Sequence, residues 1–140
     1  SIFVIGAMLG QIPMGILSER FGARKLILAG AVMSLACLLA MPHLITDPIL
    51  IFPLLGLLGA GLGTFYTVAL VDMGRRFKGG ALIGVTTTFM FLWATGAVIG
   101  PGISGLAIEL GGPDAMPYTG AVLTMAFIGL LIMRIRQNDP

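Results

Sequence analysis

The residues able to do chemistry are few, and most sit in one cluster, Gly15-Ile-Leu-Ser-Glu19-Arg20-Phe-Gly22-Ala-Arg24-Lys25. One carboxylate among three cations can form a switchable ion pair, and Gly22 supplies a φ > 0 turn that holds the charges together. Part-shielded at a membrane surface, such a pair counts for more than an exposed one, which is worth about 0–1 kcal/mol. Two uses are open: a charged anchor, or a lock that forms and breaks. A second set consists of uncharged polar or aromatic groups inside apolar stretches, namely Gln11, Tyr66 and Trp93. Trp and Tyr favour membrane interfaces, so a Trp deep in an apolar run suits a cavity wall or buried packing. His43, beside Pro42, fits a solvated turn better than a metal site, and Cys37 has no second cysteine to pair with. No carboxylate pair, His cluster or Ser/His/Asp set is present, which argues against an enzyme and against any cofactor or metal.

The elements that carry these residues are apolar. Of 140 residues, 57% are hydrophobic and only 10% charged, where soluble domains average about 25% charged. Mean hydropathy is +1.04. Five apolar runs cover residues 1–18, 26–44, 49–71, 81–108 and 116–133. Each approaches or exceeds the ~20 residues that cross ~30 Å of hydrocarbon as a helix. Period-2 alternation is absent, so a β-barrel is excluded in favour of helices that satisfy their own backbone. The expectation is an all-α integral membrane protein with five transmembrane helices, its links six to ten residues long. A net charge of +2 does not signal nucleic-acid binding, because the basic residues cap the runs instead of forming a stripe.

All eight basic residues fall on one side of this array. Arg20, Arg24 and Lys25 follow run one; Arg75, Arg76 and Lys78 follow run three; Arg134 and Arg136 follow run five. The opposite links hold Asp47, Glu109 and Asp114. The positive-inside rule then puts the basic links and the C-terminus in the cytoplasm, with the plasma (inner) membrane as the location. Residues 1–18 lack the basic start and cleavage pattern of a signal peptide. Their abrupt apolar beginning at Ser1 suggests a longer protein whose N-terminal part is missing.

Within the runs, Gly6/Gly10, Gly59/Gly63 and Gly96/Gly100 form GxxxG pairs, and Gly56, Gly59, Gly63 and Thr67 share a face. Such faces let helix backbones approach, either as fixed packing or as sliding surfaces. Run four carries Gly96, Gly100, Pro101 and Gly105, where the proline removes a donor and predicts a kink. No Asp, Glu, Lys or Arg lies deep in a run, so if transport is proton-coupled the titrating group belongs elsewhere.

Gly15-x-x-x-Glu19-Arg20-x-Gly22-x-Arg24-Lys25 resembles the cytoplasmic signature loop of the major facilitator superfamily. That loop commonly has Asp where Glu19 stands and a basic residue at Ala23. The resemblance implies one part of a twelve-helix bundle and secondary transport of a small-molecule substrate by alternating access. Gly15, Glu19, Arg20, Gly22, Arg24 and Lys25 would form the gate loop, and Gln11, Tyr66 and Trp93 would line the cavity. Partners would be membrane lipid and the N-terminal half of the same protein. Two placements fit, helices 2–6 or 8–12. The Gly-Pro stretch of run four favours the first; the degenerate loop, the short tail and Leu55-Gly56-Leu57-Leu58 in place of an intramembrane arginine favour the second, which is preferred. The competing class is a non-transporting helical scaffold or subunit that associates through its GxxxG faces.

Overall fold

The computed structural model describes residues 2–137, with the backbone alone described for Ile12, Met14, Gly15, Ser18, Glu19, Ile135 and Arg136. The described residues form five helices: α1 (Ile2–Phe21), α2 (Ala23–Leu44), α3 (Pro48–Arg76), α4 (Gly79–Gly111) and α5 (Ala115–Gln137). By length and composition, α2 to α5 can each cross a membrane, and α1 is apolar over Ile2–Gln11.

The links are shorter than the charges imply. Only Gly22 separates α1 from α2, and only residues 77–78 separate α3 from α4. Charge marks where lipid ends, whereas a helix ends only where its backbone conformation breaks, so each helix runs on through its charged flank. At the first link the break is Gly22 itself, with φ 85°. At the α2–α3 link, Asp47 caps α3 by accepting from the Ile49 amide at 3.0 Å, and Pro48 takes the first helical position, where no donor is needed. Gly112 closes α4 with φ 82°.

Helix α3 is the centre of the bundle, packed most extensively on α1 and next on α2; α2 also packs on α5. Glycine makes these approaches possible. A Cβ on Gly6 would fall on the Gly56 carbonyl, and one on Gly59 would fall on the Phe3 carbonyl. A Cβ on Gly10 would stand 2.8 Å from that of Ala60, and one on Gly63 would stand 3.1 Å from the Ala7 oxygen. The second seam, against α2, sets Gly61 beside Gly30 and the Ser34 hydroxyl. In lipid no hydrophobic force drives helices together, so this backbone-to-backbone van der Waals contact is what holds the pair. Thr64 lies fully buried in that seam, its hydroxyl donating to the Ala60 carbonyl at 2.8 Å.

Helix α4 is different. It runs 33 residues, about 50 Å at 1.5 Å per residue, and has no buried residue among those described. The chain continues helically through Pro101, and a Cβ on Gly96, Gly100 or Gly105 would meet nothing within 4 Å. The neighbour expected to pack into these glycines is therefore not supplied by the described residues. Thr88 and Thr95 satisfy their hydroxyls on the carbonyls four residues earlier, Gly84 and Phe91, as side chains in lipid must.

Candidate functional site

The sparse contact between α3 and α4 is built largely from rings. Tyr66 meets Trp93 edge-on with centroids 5.2 Å apart, and Phe89 lies 5.7 Å from Tyr66 and 6.1 Å from Trp93. Phe89 and Trp93 are four residues apart on α4, so both reach the single tyrosine of α3. Beside this cluster, the Gly59 and Gly63 side of α3 packs on α1.

Between α1, α3 and α4 lies a cavity of about 370 Å³, lined by Phe3, Ala7 and Gln11 of α1, Gly59, Leu62, Gly63 and Tyr66 of α3, and Trp93 of α4. Gln11, Tyr66 and Trp93, chosen from sequence on three separate runs, thus line one space. Its side-chain wall is apolar apart from one amide, one phenol and one indole N–H, and no charged side chain lines it among the described residues. Glycine at 59 and 63 lets α1 close in on α3 and form one wall of this space. Such a wall can hold an apolar or aromatic body against ring faces and orient it with one or two hydrogen bonds.

The signature cluster lies elsewhere, at the end of the bundle where α1 gives way to α2. Gly22, Arg24 and Lys25 border a second cavity, together with Asp72, Arg75 and Arg76 at the end of α3. Arg76 Nε sits 2.8 Å from Asp72 Oδ2. Arg20 is exposed in the last turn of α1, while for Gly15 and Glu19 only the helical backbone is described. His43 is exposed in the last turn of α2, and no group of three metal-ligating side chains occurs among the described residues.

The family model described as Major Facilitator Superfamily matches residues 1–140. The chain belongs to the major facilitator superfamily. Neither a curated protein nor a solved structure matches it. Superfamily membership makes it an integral membrane protein of a transporter family that binds small-molecule substrates and is not an enzyme family.

Sequence reasoning missed the α2–α3 seam and the lining residues Phe3, Ala7 and Leu62. Gly30-x-x-x-Ser34 was a usable signal, a small-xxx-small pair opposite Gly61. The lining residues carried none, because an apolar residue facing a cavity is indistinguishable by type from one facing a neighbour.

Proposed function

We propose that this chain is most of one half of a secondary active transporter, and that the cavity between α1, α3 and α4 is its wall of the solute site. What carries the reading is the meeting of Gln11, Tyr66 and Trp93 around one space within a superfamily chain. Ring faces would contact the apolar part of a small solute, and the Gln11 amide would fix its orientation. Transport would proceed by alternating access, the two halves rocking about a central site.

The unburied length of α4, including Gly96, Gly100, Pro101 and Gly105, supports a position against the remainder of a twelve-helix bundle. By the signature loop and the absent arginine this chain corresponds to helices 8–12. Its basic ends and C-terminus would be cytoplasmic, in the plasma (inner) membrane. Gly15, Glu19, Arg20, Gly22, Arg24 and Lys25 would then form the cytoplasmic gate, Glu19 locking one state by ion pairing.

The test uses thiol chemistry, for which the chain is well suited: its one cysteine, Cys37, is only 5% exposed. In the full-length protein, Gln11→Cys should react with a membrane-impermeant maleimide applied from either side, at rates set by the two conformers. Adding Glu19→Ala should change the ratio of those rates severalfold. A thiol at position 11 inert from both sides would remove the solute site, and an unmoved ratio would remove the gate.

A further inference from the structure

The second cavity is bordered mostly by cations. It holds about 350 Å³ and joins two segments some fifty positions apart, the α1–α2 link and the end of α3. Among the described residues, four cationic side chains, Arg24, Lys25, Arg75 and Arg76, border it with one carboxylate, Asp72. That carboxylate is already committed, since it holds Arg76 at 2.8 Å. Arg75 also has a partner. Among the described residues, neither Arg24 nor Lys25 has one. The backbone adds to this field. Gly22, at φ 85°, turns the chain so that α2 begins at the cavity rim, and it gives α2 no side-chain cap. The first-turn amides of α2, with the positive end of its dipole, therefore face the same space.

We infer that this cavity binds a phosphate group, held by Arg24 and Lys25 from one side and Arg75 and Arg76 from the other. Two guanidinium-bearing segments suit a tetrahedral oxyanion because each fork can give two parallel N–H bonds, while the lysine contributes a point charge. An alcohol or amide would gain nothing from four cations. A carboxylate would satisfy fewer donors than a phosphate offers acceptors. Like charges gathered at one end of a bundle repel one another, and a bound phosphate turns that repulsion into attraction. The same chemistry has two sources at this depth, the headgroup of an anionic phospholipid or free phosphate. The site stands independently of any solute in the α1–α3–α4 cavity, which shares no lining residue with it.

Native mass spectrometry of the detergent-solubilised full-length protein tests it, with phosphatidylglycerol and phosphatidylcholine as lipid probes and inorganic phosphate as the free ion. For the lipid source, phosphatidylglycerol should be retained over phosphatidylcholine. Lys25→Gln with Arg75→Gln should weaken that retention about thirtyfold at low salt, on a scale of about fivefold for each juxtamembrane charge. The charge-preserving pair Lys25→Arg with Arg75→Lys should keep most of it, which separates binding from misfolding. For the free-ion source, millimolar phosphate should raise the thermal midpoint of the wild type and not of the neutralised pair, with no preference between the lipids. Equal retention of both lipids together with no phosphate response overturns the site. So does a preference that the neutralised pair leaves unchanged while eluting as a folded monomer.

Discussion

Helices α3 and α4 are both long, apolar and glycine-rich, yet they use glycine in opposite ways. On α3, Gly56, Gly59, Gly61 and Gly63 are each pressed against another backbone or side chain, and Val68 and Thr64 are completely buried. On α4, Gly84, Gly96, Gly100, Gly102 and Gly105 face open space, and Val98 is 79% exposed. The same residue type is a seam in one helix and a vacancy in the other. Composition therefore does not tell a packed helix from an unpartnered one; only the identity of what lies opposite does. The α1–α3–α4 cavity sits where the two regimes meet, walled by the glycine seam on one side and by Tyr66 and Trp93 on the other.

The sharpest way to break this contrast is to load each helix with the same side chain. Gly6→Val drives a β-branched group into the Gly56 backbone, which has no rotamer with which to yield. Overpacking of that kind costs about 3 kcal/mol, and more where backbone must move. The thermal midpoint of the full-length protein should fall steeply, while Gly96→Val on α4 should stay near the wild type. Equal damage at both positions would mean that α4 is as tightly covered in the assembled protein as α3 is here.

Next in size is the ring contact that joins the two regimes. Trp93→Ala removes its pairings with Tyr66 and Phe89, at about 0.5–1.5 kcal/mol each. It should leave the α1–α3 seam intact and free α4 to move, which faster maleimide labelling of a Gln11→Cys probe would report. Unchanged labelling would show that the rings do not close the cavity.

How much of this was readable beforehand follows from the physics of each feature. The five helices were legible because lipid allows only helices or closed barrels and the runs lack a barrel's alternation, and the α2–α3 turn because Asp-Pro marks a chain reversal. Gly22 was legible as a turn from its place among charges, and φ 85° agrees. Gln11, Tyr66 and Trp93 were chosen one helix at a time, so their meeting depended on helix rotations that spacing alone does not give. The partners of the glycines were illegible for the same reason. GxxxG reports that something approaches closely, not what, and so Gly6/Gly10 and Gly96/Gly100 read alike. The α2 face of α3 was missed because only the face of Gly56, Gly59, Gly63 and Thr67 was singled out, and Gly61 lies off it.

Smaller effects sharpen the edges of the contrast. Gly22→Ala forces a side chain into a left-handed conformation at the one residue between α1 and α2, for about 1–2 kcal/mol. A cavity is not filled by it, since nothing lies within 4 Å of the added Cβ. Its signature is a lowered midpoint with unchanged solute affinity. Smallest is Asp72→Asn, which opens the exposed pair with Arg76; such i,i+4 pairs are worth about 0.3–0.5 kcal/mol. A midpoint shift beyond about 1 kcal/mol would mean that Asp72 tethers more than its own helix.

The length of α4 has a consequence for the membrane around it. At about 50 Å it overshoots a hydrocarbon slab of about 30 Å, and no ordinary lean absorbs the whole difference. Its ends must project, which carries the glycines of its first turn into one headgroup layer and Glu109 into the other. A bilayer a few ångströms thicker would swallow part of each projection and stand the helix more upright. Because the contact between α3 and α4 is sparse and built largely from rings, the angle between these two helices becomes a gauge of local bilayer thickness, and spin-label distances between α3 and α4 in short- and long-chain lipids would read the dial.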